Sequence, residues 1–267
     1  MNRRHLFELE DQSWLPRAWR DGATDVLDVL LTMTGAVRPL APALQAFMAA
    51  AGQRRWFDLG SGSGGGALAM RAELDALGAA PQAITFTDRY PNDAARQRVA
   101  ALGDPALLYL AEPVDALQAP RHPPAIRTMF GALHHFPPEL VQRILQDAVT
   151  ARMPLAFVDV AASPAVRRLP AALIPLMAVP NLLFLFVVVL FLTPRVRPFR
   201  WSLLLWTYVI PAIPVVFAWD GTVSALRAYT PDELLGLTRA VPGADAYDWN
   251  AAQAGRSLML TGRPRGA

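Results

Sequence analysis

Apolar positions along this chain change their spacing twice. From Leu15 to about Gly52 they recur at helical intervals, with Val26, Leu27, Val29, Leu30 and Leu31 in one run and Leu44, Phe47 and Met48 in the next. That spacing predicts two or three helices. The period then shortens: "RRWFDLG" is a short apolar strand ending in glycine, and "GGALAMRAELDALG" is a helix closed by Gly78. The alternation continues with "AITFTD", "ALLYLAE", "IRTMFGAL" and "PLAFVDVA" as strands and with "PNDAARQRVAALG" and "PPELVQRILQDAVTA" as helices. Strands alternating with helices predict an α/β fold with a parallel, doubly wound sheet. Near the end, "TPDELLGLTRAV" opens with a Thr cap and a Pro at the first helical position, and "ADAYDWN" and "RSLMLTG" read as two further strands.

Between the fifth strand and that last helix the pattern is interrupted. Twenty-six consecutive uncharged residues separate Arg168 from Arg195, and 19 separate Arg200 from Asp220. A spanning helix needs about 20 predominantly apolar residues, so both runs qualify by length. "LLFLFVVVLFL" is apolar on every face, unlike an amphipathic surface helix. Pro175, Pro180, Pro211 and Pro214 are expected to interrupt both helices, and Arg195, Arg197 and Arg200 lie on the loop between them. Two crossings and a hairpin dipping into one leaflet are both open, with a hydrophobic dimer interface or buried lid as the competing reading. The expected organisation is an N-terminal helical cap (1–52), the first part of the core (53–163), a membrane-inserted hydrophobic hairpin (164–219), and the closing helix and strands of the core (220–267).

Composition agrees with a partly lipid-buried chain. Hydrophobic residues make up 53% and charged residues 18%, too apolar for an ordinary soluble enzyme of this size. "MNRRHLFELEDQSW" has no apolar stretch behind its basic start, so it is not read as a cleaved signal peptide. A membrane location, of the bacterial inner-membrane type with the core facing the cytoplasm, follows as an expectation. The absence of cysteine excludes a disulfide framework, a thiolate metal site and a cysteine nucleophile. The net charge of +3 comes with no basic run interleaved with aromatics, so no nucleic-acid partner is expected.

The candidate chemistry starts at "FDLGSGSGGG". Glycines there permit positive φ and let a ligand press against bare backbone at a helix N-terminus, which predicts a nucleotide-type ligand. Gly60, Gly62 and Gly65 also satisfy the G-x-G-x-x-G of dinucleotide enzymes, so the turn alone does not choose the ligand. Three further segments narrow the choice: "TFTDRYPN", "EPVDALQAP" and "MFGALHHFPPE". With these, roughly Arg54 to Val160 and Tyr229 to Gly262 resemble the class I S-adenosylmethionine-dependent methyltransferases, which implies a Rossmann-like methyltransferase sheet.

The resemblance implies a role for each segment. Asp58, Gly60, Ser61, Gly62 and Gly64 would surround the methionine part of the cofactor. Asp88, followed by Arg89, would take both ribose hydroxyls, as a carboxylate can. Asp115 would contact the adenine amino group, with Glu112 as the alternative, and Phe130 and Gly131 lead into the segment bearing His134 and His135. The histidines are candidate general bases, or they shape the pocket while positioning alone drives transfer. No metal is implied, since the histidines lack a carboxylate partner at helical spacing.

"FELEDQSWLPRAWRDG" and "WDGTVSALRAYTPDEL" mix aromatic and charged residues in a way plain helices do not. They offer Glu10, Asp11, Trp14, Arg20, Asp220, Ser224, Arg227 and Tyr229 as substrate-site candidates, against a reading in which these charges are merely solvated. The expected function is membrane-associated methyl transfer to a hydrophobic small-molecule or lipid-like acceptor, with the hairpin opening the site toward lipid. An NAD(P)-dependent membrane-bound oxidoreductase and a non-catalytic membrane protein of the same fold are the rivals.

Overall fold

The computed structural model describes residues 4–120, 124–161 and 170–266. Seven strands form one sheet: β1 (Arg55–Leu59), β2 (Ala83–Thr87), β3 (Leu107–Tyr109), β4 (Ile126–Phe130), β5 (Leu155–Asp159), β6 (Tyr247–Ala254) and β7 (Ser257–Pro264). Their order across the sheet is β3-β2-β1-β4-β5-β7-β6. The first five pair in parallel, and β7 runs antiparallel to both β5 and β6. The order reverses beside β1, the switch point at which doubly wound sheets open a crevice at their strands' carboxyl ends.

The central strands β1, β4, β5 and β7 are buried on both faces because helices cover both. Phe57, Leu59, Leu155, Phe157, Leu258 and Leu260 face α5 (Pro138–Thr150) and its neighbours, while Trp56, Ile84, Ala156, Val158 and Met259 pack into a second core with α2 (Ala41–Ala50), α3 (Gly65–Ala76) and α4 (Asp93–Ala101). This two-sided burial is why the strands read as short continuous apolar runs. The predicted alternation of strands and helices is reproduced element by element, and Thr230 forms a capping box with Glu233 on the last helix.

The interruption after β5 behaves as two unlike halves. Its expected start at residue 164 lies outside the described residues. α6 (Ile174–Leu192) continues through a tight turn to Arg195, an unbroken span of 22 residues with mean hydropathy 2.5, mostly exposed. Leu176, Leu183, Phe184 and Phe191 are each at least 64% exposed. Pro175 and Pro180 do not interrupt it: Pro175 sits in the first turn, where no intrahelical N–H bond is lost, and the helix continues through Pro180.

The second run is broken instead. α7 (Trp201–Leu204) runs into a wide turn at Leu205–Val209, and the chain bends by 75° at Pro211 before α8 (Ala212–Arg227). α8 packs against α1 (Arg17–Thr34) and α6 with twelve buried residues, while Trp201, Val209 and Val215 stay more than half exposed. α8 also passes without a break across residues 219 and 220, then leads to α9 (Pro231–Arg239). One described helix is therefore long and apolar enough to cross a membrane, or more if each bent helix pair counts as one span.

Candidate active site

Asp58 organises the turn after β1 from beneath. Its buried carboxylate accepts hydrogen bonds from Ser61 Oγ (2.6 Å) and Thr128 Oγ1 (2.7 Å), and its main-chain oxygen accepts one from Thr87 Oγ1 (2.7 Å). Burial pushes its pKa up to about 6 against those bonds. The residue ties β1, β2 and β4 together below the turn and does not line the cavity. Gly64 is likewise behind the turn, with positive φ and a Cβ position only 3.3 Å from the Phe86 ring.

Above the turn lies a cavity of about 330 Å³ at the carboxyl ends of the parallel strands. That volume suits a small-molecule site. Gly60, Ser61 and Gly62 form one side, Asp88 and Arg89 the next, and Asp115, Phe130 and Gly131 the far side. Asp88 accepts the Gly62 and Tyr90 main-chain N–H groups, one on each oxygen, both at 2.7 Å. A second lone pair remains on each oxygen, so the carboxylate is both fixed in place and able to accept from a vicinal diol. Asp115 caps a short turn through the Leu117 N–H (2.9 Å) while facing the cavity.

The two histidines differ. His134 is buried: its main-chain N–H donates to Asp159 Oδ2 (3.1 Å) and its Nδ1 lies 2.8 Å from the same oxygen, so its ring is outside the cavity lining. His135 does line the cavity. Its Nδ1 is 2.8 Å from Asp11 Oδ1 and 2.9 Å from Glu8 Oε2. One Nδ1 hydrogen serves one bond, so it goes to Asp11 and the approach to Glu8 is ionic. Burial alone would lower the imidazole pKa, but the Glu8 and Asp11 carboxylates outweigh it and hold His135 well above the ordinary value, as an imidazolium. An imidazolium has no lone pair with which to accept a proton.

Glu8 and Asp11 belong to an irregular N-terminal strap, and α8 holds that strap down. Asp220 accepts the main-chain N–H groups of Leu9 (2.6 Å) and Glu10 (2.9 Å), while Arg227 Nη1 donates to Asp11 Oδ2 (2.9 Å) and lies 3.0 Å from Glu8 Oε1. Ser224 Oγ is 3.1 Å from Glu8 Oε1, and the Tyr229 hydroxyl donates to the Phe136 carbonyl (2.7 Å). Glu8 is fully buried, and His135 and Arg227 pull its pKa below the usual carboxylate range despite the burial. Glu8, His134 and His135 bring potential ligand atoms within 4.8 Å of one another. The Arg227 guanidinium already supplies the positive charge there, so the cluster is a salt-bridge network.

The substrate candidates thus separate. Arg20, Glu10 and Asp11 face the cavity; Asp220, Ser224 and Arg227 hold the strap from behind; Tyr229 ties the end of α8 to the Phe136 carbonyl; Trp14 is 64% exposed at the surface. Sequence reasoning missed Glu8, Asp159 and Asp28. For Asp28 a signal existed, because Asp21, Asp25 and Asp28 recur at i, i+4 and i+7 on one face of a helix whose other positions are largely apolar.

Asp28 occupies the N-terminus of α3. It accepts the Gly65 N–H, lies 3.1 Å from Arg98 Nη2, and burial raises its pKa to about 7 against these partners. Dinucleotide sites leave that helix end open for a pyrophosphate. Here a carboxyl group has taken it. The described residues of the interruption contribute nothing to the cavity lining; α1 stands between, presenting Asp21, Thr24, Leu27 and Asp28 to the cavity and Gly22 and Ala23 to the opposite side. The expectation that the hairpin itself opens the cavity toward lipid is not met, because α8 turns back into the protein.

No protein-family model matches the sequence, and no curated protein matches it. Among solved structures, an O-methyltransferase family protein from Burkholderia thailandensis superposes with a TM-score of 0.50 at 15% identity, over 90% of this chain and 59% of that one. Human N-acetylserotonin methyltransferase, solved with SAM, gives a TM-score of 0.48 at 12% identity over 89% of this chain and 55% of that one. The chain thus spans little more than half the length of these proteins. The likeness to the Burkholderia protein, taken with the strand order, shows a Rossmann-like fold of the methyltransferase type.

Proposed function

We propose that this chain is an S-adenosylmethionine-dependent methyltransferase attached to a membrane and acting on a hydrophobic small-molecule acceptor. The observation that carries the choice of cofactor is Asp28 on the N-terminus of α3. A ligand with a pyrophosphate would meet a carboxyl group there, whereas a cofactor that carries a sulfonium and an ammonium and no phosphate suits an acidic wall. Asp88 and Asp115 would hold the ribose and adenine ends, and Gly60 to Gly62 would leave backbone room for the methionine end. When bound, the cofactor supplies an electrophilic methyl group; the protein's part is to hold an acceptor in line with it and keep water away.

Phe136 and Leu140 give the cavity apolar lining beside His135 that suits a lipophilic acceptor. The exposed α6 supports a membrane location, in which it would act as an anchor rather than as a wall of the site. Titration calorimetry separates the cofactor readings. S-adenosylmethionine is expected to bind, NADH is not, and Asp88→Asn should weaken S-adenosylmethionine at least ~10-fold by removing a charge-assisted acceptor. NADH binding in its place, or unchanged affinity in Asp88→Asn, would sink the reading.

A further inference from the structure

Methyl transfer to a protonated acceptor leaves a proton to place, and His135, whose Nδ1 is committed to Asp11 and whose proton two carboxylates favour, is poorly suited to take it. Of the carboxyl groups that line the cavity, those of Asp11, Asp21, Asp28, Asp88 and Asp115 are each engaged by a hydrogen bond or ion pair. Glu10 lines the cavity on the strap, next to Asp11 and opposite the strand ends. Its backbone is clamped on both sides, since its N–H donates to Asp220 Oδ2 (2.9 Å) and its carbonyl accepts from Arg20 Nε (3.1 Å). Its side chain, by contrast, has no hydrogen bond or ion pair among the described residues, while the neighbouring Glu8 and Asp11 carboxylates are both engaged with Arg227. A fixed backbone with an uncommitted carboxyl directed at a cavity is an arrangement that stability does not call for.

We propose that Glu10 is the general base of the site and that the acceptor presents a hydroxyl whose proton Glu10 removes. This rests on the methyltransferase reading above. In the step, the acceptor oxygen forms its bond to the methyl carbon as the carbon–sulfur bond breaks, the electron pair of that bond goes to sulfur, and the hydroxyl proton goes to the Glu10 carboxylate. The products are a methyl ether, a neutral thioether and a protonated Glu10 that later releases its proton to water.

The electrostatics favour this. Burial raises the Glu10 pKa well above the ordinary value, and the facing Asp220, Glu8 and Asp11 carboxylates push in the same direction, with the His135 imidazolium opposing them. A carboxylate made more basic is a stronger proton acceptor in its ionised form, so label transfer should rise with pH through the raised Glu10 pKa. The imidazolium is then a fixed positive charge beside the base, held by the network from α8. Glu10 is a catalytic residue in this scheme, and Asp220 and Arg20 are positioning residues that fix its backbone.

The test uses the full chain with methyl-tritiated S-adenosylmethionine and an organic extract of the source cells' membranes as acceptor pool. Three proteins are compared: wild type, Glu10→Gln and Glu10→Asp. The expected result is at least ~100-fold loss of label transfer in Glu10→Gln, partial recovery in Glu10→Asp, and S-adenosylmethionine affinity within ~2-fold of wild type by calorimetry. An infrared carboxyl band that titrates above the ordinary glutamate range in the wild type and is missing from Glu10→Gln is also expected. Label transfer by Glu10→Gln within ~3-fold of wild type would overturn the proposal, as would a loss explained by weakened cofactor binding. A wild type that binds the cofactor and transfers no label would instead overturn the methyltransferase reading on which the proposal stands.

Discussion

At the scale of single residues, the site is governed by the charges around His135. Its imidazolium is stabilised by Glu8 and Asp11, which raise its folded pKa above the unfolded value of about 6.5. The stability this contributes is fully present below pH ~6.5 and is lost as pH rises through the raised folded pKa. Glu8 and Asp11 behave oppositely: their folded pKa values are depressed, so their contribution is present above pH ~4 and lost as pH falls. The strap is therefore latched most firmly from weakly acidic to neutral pH. His135→Asn should lower the melting temperature most near pH ~6, at a cost of up to about 3 kcal/mol for a broken buried pair, and the gap to wild type should narrow as pH rises. Thermal melts of both proteins across the alkaline range check this, and a gap that widens with pH would contradict the imidazolium assignment.

At the scale of elements, α1 is the part on which the others register. It is pressed against α3 at Gly65 and against α8 at Gly22. A Cβ on Gly65 would fall on the Asp28 carboxyl group, which Arg98 and the Gly65 N–H hold in place, whereas a Cβ on Gly22 meets chiefly the terminal atoms of Ile213. Gly65→Ala should therefore cost about 1–3 kcal/mol and weaken cofactor binding, with Gly22→Ala the milder of the two because a side-chain end can turn away. Melting curves and calorimetry of both variants decide it; equal effects would mean that the α1–α3 contact is looser than drawn. These elements were readable in the sequence because buried strands and glycine-closed helices announce themselves through local spacing. The sheet-end residue Asp88 was readable for the same reason, following its strand directly, whereas Asp115 lies six residues beyond β3 and was reached through the family resemblance of its segment. The roles of Asp28, Glu8 and Asp58 were not, because each depends on a contact between distant segments, and a lone acid in a helix or loop looks the same whether solvated or buried. The two apolar runs were alike in composition, and only the turn at Pro211 and the polar residues of α8 sent one of them inward.

At the scale of the whole molecule, the outstanding surface is α6. Its 22-residue span to Arg195 is about 33 Å long at 1.5 Å per residue, close to the thickness of a bilayer's hydrocarbon core. Its inner side is taken by α8, which leaves Leu176, Leu183, Phe184, Val187 and Phe191 facing outward. A soluble monomer rarely exposes so continuous an apolar patch. Near one end of the span stand Arg195 and Arg197 with the exposed Phe199 and Trp201, residue types that settle at a headgroup boundary. Removing a large apolar side chain from water is worth about 1.5–3 kcal/mol, so a few such residues decide whether the protein sits in lipid. The full chain should float with phosphatidylglycerol–phosphatidylethanolamine vesicles on a density gradient. Combining Leu183→Ser, Phe184→Ser and Phe191→Ser should leave most of it at the bottom, with S-adenosylmethionine affinity unchanged because no residue of α6 lines the cavity. A wild type that stays at the bottom as a stable dimer, and that dissociates on the same three substitutions, would assign this face to a second copy of the chain instead of a membrane.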